Sequence, residues 1–368
     1  MIILIASALF SLLGTLWIIK NNHLHRHLSS DNISSGPQKF HTKEVSRIGG
    51  LAIYFALILS SIIRYFQDQS SGMTLLTLTV CALPVFLIGF LEDITKKIGI
   101  IARLTGISFG ALSACLYLDA SIQNIGLPLF QSILSFYAIS IAFTIFAIVG
   151  LSNAYNIIDG FHGLSSMIGV IALASIAYIG FRVNDVAIIT CSAAMIGAIL
   201  GFFIFNYPNG LIFLGDGGAY LIGFWVATLS ILLVGNNQAI SPWFAVLTNI
   251  YPILETLFTI WRRFVHQGKN PGIADGIHFH SLIYRRVLCQ KTDKNEIKNL
   301  NQSDLNHARN VKTSPYLWTL SALATVPSLI FWSNGVVLFA FAACFCVLYI
   351  YLYSRIVKFK TPGWLRIL

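Results

Sequence analysis

The chain has 368 residues, of which 56% are hydrophobic and only 10% charged, against roughly 25% charged in an average soluble domain. That composition excludes a soluble globular enzyme and places the chain in a lipid bilayer. Its net charge of +10 suits anionic lipid head groups and phosphorylated substrates at a membrane surface better than it suits nucleic acid.

Apolar runs recur along the sequence at close to the roughly 20 residues that a helix needs to cross the hydrocarbon core. They predict an all-α, polytopic integral membrane protein with about eleven transmembrane helices, at 1–19, 48–66, 72–91, 100–118, 131–152, 163–181, 186–205, 211–234, 240–261, 315–333 and 335–353. No Lys or Arg precedes the first run and no small-residue cleavage pattern follows it, so it is expected to remain as a span and not to be removed as a signal peptide. The charges come after it, at Lys20, Arg26, Lys39, Lys43 and Arg47, which marks the first connection as cytoplasmic and the N-terminus as periplasmic. Alternation over eleven spans then makes the C-terminus cytoplasmic, and of the 24 Lys and Arg only Arg64 and Arg182 fall on outward segments. The histidines of NNHLHRHL (21–28) read as basic head-group contacts just past a helix end.

One multispan domain, 1–368, therefore carries two long cytoplasmic connections, 20–47 and 262–314. Outward loops such as DASIQNIGLPLF (119–130) and GNNQ (235–238) are short and nearly free of charge, so the working surface is expected inside. There is no repeat of 20 to 50 residues and there are no inverted halves, which removes one signature of secondary transporters. Five of the six cysteines fall within spans and Cys289 falls in an inward loop; they read as small buried hydrophobes.

Four polar clusters interrupt the apolar pattern. In FLEDITKKIG, Glu92 and Asp93 emerge from the third span, followed by Lys96 and Lys97; such a group suits a metal or a proton with lysines on phosphate oxygens, or an ordinary charged helix end. Arg103 reads as a snorkelling side chain. In NAYNIIDGFHGL (153–164), a continued helix sets Asn153 and Asn156 on one face with Asp159 beside them, and glycines let the chain turn. These amides suit a sugar or phosphate, although Asn and Asp also cap helices and fill turns.

In FLGDGGAY (213–220), Asp216 stands at the edge of an uncharged span between glycines and is the strongest candidate metal ligand, as Mg²⁺ is commonly held by a carboxylate jointly with substrate phosphates. Glu255 reads as a paired interior residue or part of the site's wall. In ADGIHFHSLIYRR (274–286), His278 and His280 lie two apart near Arg285 and Arg286, which fits anion binding better than zinc; solvated loop residues are the alternative. With this topology every cluster meets at the cytoplasmic face. Carboxylates for one divalent ion, amides and glycines for a diphosphate, and cations for phosphate charge suggest phosphoryl transfer involving a lipid. A transporter for an anionic solute is the competing reading, but it calls for charge at mid-membrane and on both faces.

At these residues the chain resembles the polyprenyl-phosphate N-acetylhexosamine-1-phosphate transferases. NAYNIIDGFHGL matches the family's NAxNxxDGxDGL, GDGGAY its GDxGS-like segment, EDITK its DDxxK, HFH its late histidine motif, and GPQKFHTKEVSRIGG (36–50) its GPxxHxxKxxTPxxGG region, all in the family's order. The resemblance implies attack by an undecaprenyl-phosphate oxygen on the sugar-linked phosphate of a UDP-N-acetylhexosamine, giving a lipid-diphosphate sugar and UMP, with Mg²⁺ (Mn²⁺ as substitute), at the inner (plasma) membrane; a homodimer stays open. It implies Asp216 as metal ligand, and Glu92, Asp93 and Asp159 as further acidic groups of the catalytic centre. Asn153, Asn156 and His162 would line the donor site, Lys43 and Lys96 neutralise phosphate, and His278, His280 and Arg285 contact the diphosphate. Direct attack is preferred over a covalent intermediate.

The chain departs from the pattern at Glu92, where the family has Asp, and at His162, where it has a second Asp. The late motif also lacks a third His, which points to the O-antigen or another glycan-initiating branch.

Overall fold

The computed structural model describes residues 1–23, 45–266, 268, 276–288 and 302–362. All regular elements among them are helices. In chain order the α-helices are α1 (Ile2–Lys20), α2 (Gly49–Gln67), α3 (Gln69–Thr95), α4 (Ile100–Leu118), the short α5 (Pro128–Leu134), α6 (Tyr137–Ile158), α7 (Leu164–Arg182), α8 (Val186–Asn206), α9 (Gly215–Asn236), the short α10 (Pro242–Thr248), α11 (Ile250–Trp261), α12 (Phe279–Leu282), α13 (Gln302–Ile330) and α14 (Gly335–Val357), with π-helical turns at Arg262–His266 and Ile283–Leu288 extending α11 and α12.

Nine described helices are long and apolar enough to cross a bilayer, or ten if α10 and the helical segment Ile250–Val265, bent by 74° from one another, are counted as one span. The expectation of about eleven needs two adjustments. The run at 240–261 is not one straight helix: Pro252 has no N–H to give the carbonyl of Thr248, so the helical ladder breaks there. Asn249, at the break, donates through its side-chain amide to Ala245 O (3.0 Å) and accepts from Tyr155 Oη (3.2 Å). The run at 315–333 overlaps α13, which starts earlier and carries Asp304, Arg309 and Lys312 before it. Helix α13 lacks the apolar composition of the other spans but still runs the length of the bundle, from Asn310 beside His162 to Trp332 just past its end, whose carbonyl accepts from Ser241 N. The fifth span also starts later than 131, because residues 128–134 form the separate helix α5. As a result NAYNII is the last part of α6 and not the tail beyond it.

Helix α9 is the axis of the bundle. Its most apolar stretch is 94% buried, and it touches α2, α3, α4, α6, α7 and α8. A helix buried on every side has to be apolar all round, and after Asp216 the α9 sequence carries no charge. Small residues let its neighbours close in at the N-terminal end. A Cβ on Gly50 of α2 would stand 2.4 Å from Gly218 N, and one on Gly89 of α3 would stand 2.6 Å from Gly217 Cα, so three backbones meet where any side chain would force them apart.

Helix direction sorts the charges. Of the described Lys and Arg, Arg64 and Arg182 stand at one end of the bundle, at the C-terminal ends of α2 and α7. Arg64 pairs with Asp68 (3.0 Å), and Arg182 donates to Tyr178 Oη (3.3 Å). The rest gather at the opposite end, where α2, α7 and α9 begin and α3, α6 and α8 stop.

Gly89→Ala tests the close approach of α3 to α9. The added methyl is expected to cost about 1–3 kcal/mol, read as a lower melting temperature in detergent, and to reduce function together with stability, because Asp93 rides on the same helix. A variant with wild-type melting would show that the two helices do not need this contact.

Candidate active site

At the charged end of the bundle the first turn of α9 is held by an acid from α3. Asp93, 2% exposed, accepts from the backbone N–H of Asp216 through Oδ1 and of Gly217 through Oδ2, each at 2.9 Å. A carboxylate on the first amides of a helix satisfies donors that have no partner inside the helix and meets the positive end of its dipole. Gly215 makes the turn before them: its φ is +76°, and a Cβ there would stand 2.5 Å from Asp93 Oδ2. Only glycine suits both demands.

The side chain of Asp216 is thereby presented outward, where Arg47 Nη2 lies 3.5 Å from Oδ1 and Arg103 Nη1 3.3 Å from Oδ2. Arg47 also reaches Asp93, Nε to Oδ1 at 4.0 Å. Sequence reasoning treated Arg103 as snorkelling and gave Arg47 no site role; an isolated Arg near a helix end carries no sign of which acid it will meet. Glu92 closes the turn after α3, where its Oε2 accepts from Ile98 N at 2.7 Å, and its charge is felt at Arg103, while Lys96 takes a left-handed conformation (φ 53°) and is exposed.

Helix α6 continues to Ile158, so Asn153 and Asn156 share a face and Asp159 follows directly. Their side chains have no hydrogen-bond partner among the described residues, which leaves amide and carboxylate groups free for a ligand. Burial pushes the Asp159 carboxyl up to about 7, against the opposing pull of Arg47 and with a further raising effect from Asp216. The DG turn therefore belongs electrostatically to the acidic centre, 57 residues further along the chain at Asp216.

The next residues tie this turn to the late motif. Gly160 leaves the space that His280 occupies, since a Cβ would meet His280 Nε2 at 2.9 Å, and Phe161 meets His280 edge-on at 5.6 Å. His280 stacks on His278 at 5.1 Å. His278 Nδ1 lies 3.1 Å from Oε1 of Glu255, which also accepts from Phe279 N (3.1 Å) and, through Oε2, from Tyr349 Oη (2.7 Å). Glu255 is thus the paired interior residue expected, and it fastens the histidine motif to α11 and α14. Arg285 is exposed nearby, whereas Arg286 donates to the carbonyls of Ile356 and Val357 and so caps α14. Lys43 lies outside the described residues.

His162 faces the other way. It is 6% exposed, with Nδ1 3.3 Å from Pro208 O and its ring filling the space above Gly210. Its backbone is latched to α13: the N–H donates to Asn310 Oδ1 (3.1 Å) and the carbonyl accepts from Ser314 Oγ (2.7 Å). Asn206, at the end of α8, completes the support by accepting from Gly163 N (2.7 Å) and donating to Ile212 O (2.8 Å). The structure therefore places His162 under the turn and not on its open side. Asn206, Asn310 and Ser314 went unnoticed in the sequence, since single polar residues at helix ends look like ordinary caps.

No group of three or more His, Cys, Asp or Glu stands at metal-binding distance among the described residues. Mg²⁺ does not need one: it keeps waters and takes one or two carboxylates plus substrate phosphates. Asp216, with both oxygens turned to cations and not to backbone, suits that role.

The fold and site define a multi-pass membrane protein with an acidic and arginine-rich centre at one end of its bundle. The family model described as Glycosyl transferase family 4 matches residues 75–234. The phospho-N-acetylmuramoyl-pentapeptide-transferase of Lactobacillus helveticus (strain DPC 4571) is 31% identical over 269 residues, 70% of this chain and 82% of that protein. A probable undecaprenyl-phosphate N-acetylglucosaminyl 1-phosphate transferase of Bacillus subtilis (strain 168) is 30% identical over 250 residues, 66% of each. The chain belongs to glycosyl transferase family 4, whose members among these relatives are phospho-sugar transferases.

The latch at His162 makes stability depend on pH. Burial pushes its imidazole down to about 4, with His307 adding to the fall and Pro208 O opposing it. The native state holds it neutral while an unfolded chain protonates it below about 6.5, so stability is complete above that pH and falls by up to roughly 3 kcal/mol as pH drops toward 4. His162→Phe is expected to flatten the drop in melting temperature between pH 7 and pH 5; parallel curves for the two proteins would contradict it.

Proposed function

We propose that the protein transfers a sugar 1-phosphate from a UDP-N-acetylhexosamine to undecaprenyl phosphate, releasing UMP and giving the lipid-diphosphate sugar that begins a cell-envelope glycan. The observation that carries this reading is Asp216, held between Arg47 and Arg103 and coupled through charge to Asp159, which ends the helix bearing Asn153 and Asn156. The named relatives act as phospho-sugar transferases, and the absence of charge along α9 beyond Asp216 speaks against an anion path through the bundle.

In this reading an oxygen of the lipid phosphate attacks the phosphorus next to the sugar, and the bond from that phosphorus to the UMP oxygen breaks. The barrier is lowered by fixed charge aimed at the reacting phosphates. Arg47 and Arg103 neutralise the diphosphate, Asn153 and Asn156 donate to donor oxygens, and His280, braced by His278 and Glu255, lies where a diphosphate would cross the DG turn. Asp216 would hold Mg²⁺, which supplies further neutralisation of diphosphate charge when bound. Asp93 serves by positioning Asp216 and not by touching substrate. His162 supports Asp159 from below. We read this cation-rich end as cytoplasmic by the positive-inside rule, with the N-terminus outside. The two-histidine motif favours a glycan-initiating role, such as O-antigen synthesis, over the peptidoglycan step.

Purified protein with undecaprenyl phosphate and Mg²⁺ is expected to release UMP from at least one of a panel of UDP-N-acetylhexosamines, and Asp216→Asn to slow that release about a hundredfold or more. A full panel without UMP, or an unchanged rate in the variant, would sink the proposal. A reporter fused after Leu368 is expected to read cytoplasmic; a periplasmic signal would reverse the orientation.

A further inference from the structure

Resting on that reading, we propose that Arg47 is a placeholder cation. In the enzyme without its divalent ion it occupies the negative centre made by Asp93 and Asp216, and it yields that place when the ion and donor arrive, its guanidinium passing to the donor's diphosphate.

Three observations support this. Among the described residues Arg47 is the one side chain that reaches both acids, at 4.0 Å to Asp93 Oδ1 and 3.5 Å to Asp216 Oδ1, and its charge is felt at Asp159 as well. Three carboxylates gathered at one helix end repel each other unless a cation lies among them, and a guanidinium keeps its charge at any working pH. Second, its backbone is built in place. Ser46 O accepts from Phe213 N (2.8 Å), Gly49 N donates to Phe213 O (3.0 Å) and Gly50 N donates to Leu214 O (2.9 Å), so the segment bearing Arg47 is stitched to the chain that leads into α9. The side chain remains 32% exposed, so it can swing while its Cα stays fixed.

Third, both oxygens of Asp216 are taken by arginines, Oδ1 by Arg47 and Oδ2 by Arg103. Arg103 stands on α4, where Tyr220 and Glu92 as well as Asp216 act on its charge. Asp93 has both oxygens on backbone amides. A divalent ion therefore gains Asp216 by displacing a guanidinium, and Arg47, extending from a loop, is the one placed to move. The donor's diphosphate offers Arg47 a bidentate partner of the same geometry as the carboxylates it leaves. Ion and donor then bind as a pair, each improving the other's affinity.

The test is Mn²⁺ binding to the full-length protein in detergent, without donor or lipid, read by the electron paramagnetic resonance of free Mn²⁺. Removing the competing charge in Arg47→Gln is expected to tighten binding about tenfold, as one unit charge at close range in a partly wet site would. Arg47→Lys, a point charge that cannot span both acids, is expected to fall between Gln and wild type, so a folded sample of either variant, checked by its melting curve, decides the matter. A folded variant that binds Mn²⁺ no more tightly than wild type overturns the placeholder role. Wild-type protein that binds no Mn²⁺ at all, with UMP release also absent, overturns the proposed reaction and this inference with it; UMP release with unchanged Mn²⁺ affinity in the variants overturns this inference alone.

Discussion

The grip of Asp93 on the amides of Asp216 and Gly217, in the first turn of α9, is the constraint from which the site follows. A buried carboxylate is costly, and here the cost is offset by two backbone donors, the helix dipole and an arginine. The grip brings the end of α3 to the start of α9 and turns the neighbouring Asp216 outward. The glycines at 89, 215 and 217 belong to the same arrangement, since backbones this close leave no room for side chains. One helix cap thus sets the position of the proposed reacting centre inside a bundle otherwise held by non-directional apolar packing.

From that centre, residues 159–163 act as a hub. Asp159 couples to Arg47 and Asp216, Gly160 and Phe161 receive His280, and His162 and Gly163 are carried by α8 and α13. A five-residue turn therefore joins three sets of groups that lie far apart in sequence. The amides of Asn153 and Asn156 lie in the helix just before it, while the backbone of His162 and Gly163 is held by α8 and α13. The same division explains why His162 can replace an acid found elsewhere in the family: the position points into protein, where a neutral ring is accommodated and a lone carboxylate would need a donor.

Much of this was legible in the sequence, and the parts that were not have physical reasons. Hydropathy is a collective signal, so most spans came within a few residues of their observed ends. It failed where apolar residues continue through a break: α5 merged with α6, and the bend at Asn249 and Pro252 was hidden in one greasy run. The acidic, amide and histidine clusters stood out because such groups are rare in hydrocarbon. Their division of labour did not, since Glu92 and Asp93 look alike as letters. Only the fold shows one closing a loop and the other gripping a helix 123 residues away. Arg47 and Arg103 were illegible for the same reason: a cation at a helix end is ordinary until its partner is known.

The latch between the hub and α13 also bears on how the molecule is made. The acids and arginines of the centre come from residues 47–216, and by the time α9 has entered the membrane the chain already holds them all. Asn310 and Ser314, which fasten His162, and the histidines that lean on Gly160 are synthesised afterward. A nascent chain therefore carries the charged centre before the turn at 159–163 has its support, which comes with α13 and the histidine segment. The support of the turn therefore waits on helices that follow α9 in the chain.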